Sequence, residues 1–212
     1  MHEPELKPHN TSPFGPKDED PELFQAYLNC VYFGPETLEQ WSDASEAGVE
    51  AKPEGNTRDE KQAVADLVFE KLVRLYLLAE RLVDLKTANM AVGEIVRSSN
   101  CFGVIPTQGP VSLAYGSTAT GSPLRRLLRD YWIFESVSVH DGSERLRTAG
   151  FPPEFVQDIA VEMLRIVGED FNDFDKTVMD VCCEEVCRYH QHDELHPGCV
   201  PVESGMYLAS SC

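Results

Sequence analysis

The chain is short of positive charge. Lys and Arg together number 18 against 36 Asp and Glu, a formal charge of −18. A broad basic surface that grips a phosphate backbone is thereby excluded. Long apolar runs are also missing. The most apolar stretch, LVRLYLLAERLV at 72–83, is broken by Arg and Glu. It falls short of the roughly 20 residues that span a bilayer. The opening MHEPELKPHNTSPFGPKDEDP has neither the apolar centre of a secretory signal nor the Arg bias of a transit peptide. These absences imply cytoplasm or nucleus, where thiols stay reduced. Seven cysteines, an odd number clustered late in the chain, do not suggest a disulfide framework. Sustained β-alternation is absent, and only IFESVSVH, 133–140, reads as a strand. No internal repeat is found.

What is present is helical patterning, on a chain that is 42% hydrophobic and so able to build one or two small cores. Charge is uneven: residues 1–60 carry net −10, residues 61–150 net +2, and residues 151–212 net −10. Residues 1–19 are a polar, Pro-rich lead-in with little to bury, expected to be disordered. Order is expected from Asp20, which suits a helix cap, with Pro21 at the first position. Leu23, Phe24, Tyr27, Leu28, Val31 and Tyr32 then share a face at helical spacing, and Gly34 and Pro35 stop the helix. After a polar loop, Val64, Leu67, Val68, Leu72, Leu75, Tyr76, Ala79, Leu82 and Val83 mark a long helix. Asp84 caps another, striped by Ala88, Ala91, Val92, Ile95 and Val96 and weakened by Gly93. SSNCFGVIPTQG, 98–109, reads as a loop. Short helices follow in PVSLAYGST, SPLRRLLRDYWIF and FPPEFVQDIAVEMLRIVGED, with a weaker one in DFNDFDKTVMDVCCEEV. The fold class is mainly α with little or no β-sheet.

Four segments, in order, resemble fungal BTB/POZ-domain proteins. DPELFQAYLNCVYFG, 20–34, is similar to the family's D-P-x-x-F-x-x-Y-L-x-x-x-Y-x-G helix. LVRLYLLAERLVDLKTANMAVGEIV, 72–96, resembles the helical pair that follows, whose second helix bears an Asn, here Asn89. YGSTATGSPLRRLLRDYWIF and FPPEFVQDIAVEML resemble the helical extension. The likeness covers about residues 20–167. Nothing before residue 20 is similar to the family's opening strands and helices, so the resemblance is to the back, helical half of the domain. It implies the C-terminal helical part of a BTB/POZ-like domain at 20–97, a helical extension at 98–186 and a Cys/His-rich tail at 187–212. It further implies a non-enzymatic protein–protein interaction module, an adaptor or an oligomerisation unit. Implied partners are a second copy, a cullin-type ubiquitin-ligase scaffold or a transcriptional regulator.

Burying a large apolar side chain contributes roughly 1.5–3 kcal/mol. A helical half without its usual cover is expected to offer such surface to another chain. Contact residues are expected on the helix 21–33 face (Phe24, Tyr27, Leu28, Val31) and on the helix 67–83 face (Leu75, Leu82).

Local chemistry concentrates in CRYHQHDELHPGC. Cys187, His190, His192 and Cys199, with His196 between them, are candidate zinc ligands, because Zn²⁺ takes four N/S donors and Pro197–Gly198 suits a turn. The spacing is not that of a standard finger, and the same residues also read as a polar tail with unpaired His and Cys. A Cys187–His190 catalytic pair lacks an orienting group and an oxyanion donor, so no catalytic residue is assigned. Cys182 and Cys183 lie adjacent on the weaker helix and point apart. Cys30 and Cys101 read as small buried hydrophobes. Trp41 and Trp132 read as packing residues. Arg125, Arg126 and Arg129 are expected to neutralise the chain's own acids rather than bind phosphate. YGSTATGSP has no Lys after a glycine and no preceding strand, which excludes a phosphate loop. No carboxylate pair, membrane segment or small-molecule substrate is indicated.

Overall fold

Asp20 starts the first helix. Its backbone is extended, and its carboxylate accepts the Glu22 N–H at 2.9 Å. Pro21 has no N–H to leave unsatisfied there. The helix, α1, runs Pro21–Phe33 and ends at Gly34, where φ is 87°. That left-handed value favours glycine, and the Gly34 N–H returns to the Cys30 carbonyl. The computed structural model describes residues 20–41, 58–138, 142–168 and 186–192. The lead-in at 1–19, the weaker helix over 170–185 and the end of the tail lie outside them.

A short helix, α2, covers 36–41 and turns Leu38 into the core. α3, Arg58–Arg81, is the central element. In its second half Val68, Phe69, Leu72, Val73, Leu75, Tyr76, Leu78 and Ala79 are all buried. So wide an apolar face must be enclosed on several sides, which leaves Glu70, Lys71 and Arg74 on the open side. Here α1, α4 (Leu85–Phe102) and α5 (Gln108–Ser117) enclose it. The α3–α4 turn places Val83 at φ 57°, unusual for a β-branched residue. Asp84 caps α4, accepting the Thr87 N–H at 3.0 Å.

α6, Pro123–Ser138, forms the second layer, with α5, α7 (Gly142–Thr148) and α8 (Pro153–Gly168) against it. Trp132 is buried among Phe151 and Phe155, and its Nε1–H donates to the Pro106 carbonyl at 2.9 Å. A 3₁₀ turn, Val186–Tyr189, continues to His192 and comes back onto α4 and α6.

The mainly α fold is as the periodicity predicts, and no strand occurs among the described residues. Two local expectations are corrected. The strand expected at 133–140 is helical through Ser138, because the register of the buried helix before it outweighs β-propensity. The loop expected from 98 begins at Gly103. Ser98, Ser99 and Phe102 are buried on α4, so a boundary after 97 would cut a helix. The parts assigned to 20–97 and 98–186 share one core cluster, which Tyr189 of the tail also joins.

Candidate functional site

α1 carries a wider apolar stripe than α3 and α4 cover. Leu23 and Tyr27 pack on the core, and Cys30 is fully buried. Phe24 and Val31 stay 43% and 44% exposed, and Tyr32 is 75% exposed. Leu28 is half-buried. Of the predicted contact residues on α3, Leu82 is 48% exposed beside the exposed Val83. Leu75 is a correction: it is fully buried on the enclosed side of α3 and presents nothing to a partner. The stretch 20–41 holds Asp20, Glu22, Glu36 and Glu39 and no Lys or Arg. The stretch that bears the stripe is thus acidic, while Lys71 of α3 stands over the Trp41 ring and Arg97 of α4 reaches the Glu39 carbonyl. Tyr27 bridges this face to the α4 cap, its hydroxyl donating to Asp84 Oδ2 at 3.1 Å. Burial and the Asp84 carboxylate both push the Tyr27 hydroxyl pKa up.

A second constellation joins α3, α4 and α6 to the return segment. Asn89, on α4, meets the backbone of Gln191 at two points: its Nδ2 donates to the Gln191 carbonyl at 2.8 Å, and its Oδ1 accepts the Gln191 N–H at 2.8 Å. The Gln191 side chain donates to the Tyr76 hydroxyl at 3.0 Å. That hydroxyl donates to Glu80 at 2.9 Å and lies 3.1 Å from Ser122 Oγ. Burial pushes the Tyr76 pKa up to about 12, so it stays protonated and a donor. On α6, buried Asp130 accepts the Tyr189 hydroxyl at 2.9 Å and Arg188 at 3.1 Å. Sequence reasoning missed Tyr76, Asn89, Asp130, Tyr189 and Gln191 as a group. The available signal was Tyr189 amid the polar CRYHQHDE stretch, with a polar Asn89 between the small Ala88 and Ala91.

The metal candidates are only partly placed. The rings of His190 and His192 stand 6.2 Å apart. His190 is half-buried, and burial first, then His192, lowers its pKa. The side chains of Cys187 and Cys199 lie outside the described residues, as does His196. Among the described residues no three His, Cys, Asp or Glu side chains gather to hold a metal ion.

Arg125 and Arg129 act within the chain. Buried Arg125 donates to the Tyr115 and Thr118 carbonyls at the end of α5, to Thr118 Oγ1 and to Glu154. Arg129 pairs with Asp130 at 2.7 Å and Glu162 at 3.4 Å. Arg126 is exposed. Cys30 is a free buried thiol. Cys101 is a correction, because it is half-buried and disulfide-bonded rather than a small buried hydrophobe.

The arrangement defines a helical protein with an exposed apolar stripe on α1 and a docked return segment. No protein-family model, curated protein or solved structure matches the chain. Among the described residues no helix is long and apolar enough to cross a membrane.

Proposed function

We propose that the chain is a non-enzymatic protein–protein interaction module, of the BTB/POZ type its sequence resembles, acting as an adaptor through the outer face of α1. The observation that carries this is the stripe of Phe24, Leu28, Val31 and Tyr32, left open beside an already packed face of the same helix. An exposed apolar stripe gains by burial against a complementary helix. The carboxylates of Asp20, Glu22, Glu36 and Glu39 on the same stretch favour a partner helix flanked by Lys or Arg. A second copy would set carboxylates against carboxylates, and like-charge contacts disfavour association. A cullin-type scaffold fits this proposal only where it presents such a basic helix.

The test uses the full chain and two designed amphipathic helices, one of Lys and Leu, the other of Glu and Leu. The Lys/Leu helix is expected to bind, more weakly as salt rises, and to lose at least about tenfold on Phe24→Ser with Val31→Ser, a loss of ~1.4 kcal/mol. The Glu/Leu helix is expected not to bind. Equal binding by the variant would overturn the site. A dimer in light scattering that the same variant dissociates would replace the basic partner by self-association.

The near pair His190 and His192 favours a second reading, a zinc-stabilised tail that adds Cys187 and Cys199. It requires about one zinc per chain in the purified protein and a lower unfolding midpoint after chelation. Metal-free protein whose melting a chelator leaves unchanged would remove it. For the compartment, the Cys101 disulfide favours oxidising surroundings over the cytoplasm or nucleus the sequence implies.

A further inference from the structure

We propose that the cleft between α3, α4 and α6 is a binding site for a short linear peptide of the pattern basic–Tyr–x–Gln, which the chain's own Arg188–Gln191 occupies in cis. This surface is separate from the α1 stripe and does not depend on it.

The contacts are those of peptide recognition. Asn89 satisfies the N–H and the C=O of Gln191, which reads main chain and fixes the register of the segment. Specificity comes from the side chains of Arg188, Tyr189 and Gln191. Tyr189 is fully buried, and Asp130 receives its hydroxyl. Arg188 reaches the same carboxylate from a more open position. The Gln191 amide donates to Tyr76 and, at 3.4 Å, to Glu80. Asp130 is held through one oxygen by Arg129 at 2.7 Å, and its other oxygen is the one that accepts the basic residue and the tyrosine of the segment.

The occupant has little structure of its own. Val186–Tyr189 is a single 3₁₀ turn, and such a turn does not persist alone in water. Its conformation is therefore held by the cleft. The anchors sit in Arg188, Tyr189 and Gln191, 102 residues along the chain from Asn89 in the case of Gln191. Between Gly168 and Val186 lie 17 residues, a covalent reach of up to about 60 Å. A segment so joined can leave its cleft and be replaced by the same sequence from another molecule.

The experiment uses full-length chain under thiol reductant, so that no disulfide tethers the segment. The probe is a labelled synthetic peptide of residues 185–193 carrying Cys187→Ser. Tyr189→Ala with Gln191→Ala in the chain vacates the cleft. The probe is expected to bind this variant on the order of 100-fold more tightly than it binds the unaltered chain, whose tethered segment competes at high effective concentration. Adding Asn89→Ala is expected to weaken binding by about tenfold, the loss of two hydrogen bonds. A probe with Tyr189→Ala is expected not to bind. Equal affinity for the unaltered and vacated chains, or no binding to a vacated chain that keeps its helical spectrum, would overturn the proposal. Should the vacated chain fail to fold, hydrogen exchange on the unaltered protein decides. The Gln191 amide is expected to exchange at least 100-fold faster than those of Leu72 and Leu75, through local opening. Exchange at the same rate would make the segment a permanent piece of the core and overturn the proposal.

Discussion

Single residues set the local stabilities, and three of them give clean tests. Asp84 receives the Thr87 N–H, the Thr87 hydroxyl and the Tyr27 hydroxyl. Burial alone would raise its pKa, but these donors outweigh burial and hold it below the ordinary 3.8. A folded value below the unfolded one means that the folded state binds fewer protons. The contribution is therefore present above 3.8 and lost as pH falls through the lower, folded value. We expect Asp84→Ala to cost about 1–2 kcal/mol at neutral pH, the loss of a helix cap. Denaturant melts of both chains should converge below the carboxylate range. Gly93 is the converse case. A methyl group there would meet nothing within 4 Å, on a helix whose middle gains from Ala. Gly93→Ala is expected to raise stability by about 0.5–1 kcal/mol in the same melts. Arg125 and Glu154 divide an ion pair unequally: the Arg side chain is 7% exposed and the Glu 70%. Removing the exposed partner by Glu154→Gln should cost less than about 1 kcal/mol. Arg125→Met should cost more, because the Tyr115 and Thr118 carbonyls lose their donor, at ~1–3 kcal/mol for each group left unsatisfied.

At the scale of elements, the sequence was most legible where a stripe and a cap coincide. Asp20 with Pro21, Gly34, and Asp84 before the Ala88–Val96 stripe each mark a boundary that the structure keeps. Legibility failed where the buried face of a helix is wide. The three- and four-residue spacing on α3 includes Leu75 and Leu82 alike, but only the enclosing helices decide that one is core and the other surface. It failed again at 133–140, where Val and Ser continue a helix begun by Leu124, Leu127 and Leu128. The α1 stripe was readable as apolar, and its exposed half is visible only once α3 and α4 have taken the other. The Asn89–Gln191 and Asp130–Tyr189 contacts had no periodic signature, because each pairs residues far apart in the chain.

At the scale of the whole molecule, the cysteines carry a consequence for the surroundings the chain tolerates. An odd total of seven leaves at least one thiol outside any pairing within one molecule, and Cys30 is such a thiol, buried between α1 and the core. Cys101, near the end of α4, is bonded instead. A disulfide at that position restricts the unfolded chain more than the folded one, a gain of about 2–4 kcal/mol for loops of ordinary length. Two thiols of the seven are consumed, so the protein unfolded without reductant should titrate with no more than five. Cys30 should stay unreactive until denaturant is added. Reductant should lower the unfolding midpoint, and Cys101→Ser should lower it to the same place with no further response to reductant. If the chain instead titrates with all seven thiols before any reductant is added, and melts identically with and without it, the oxidising-compartment reading falls and the reduced state expected from the sequence returns.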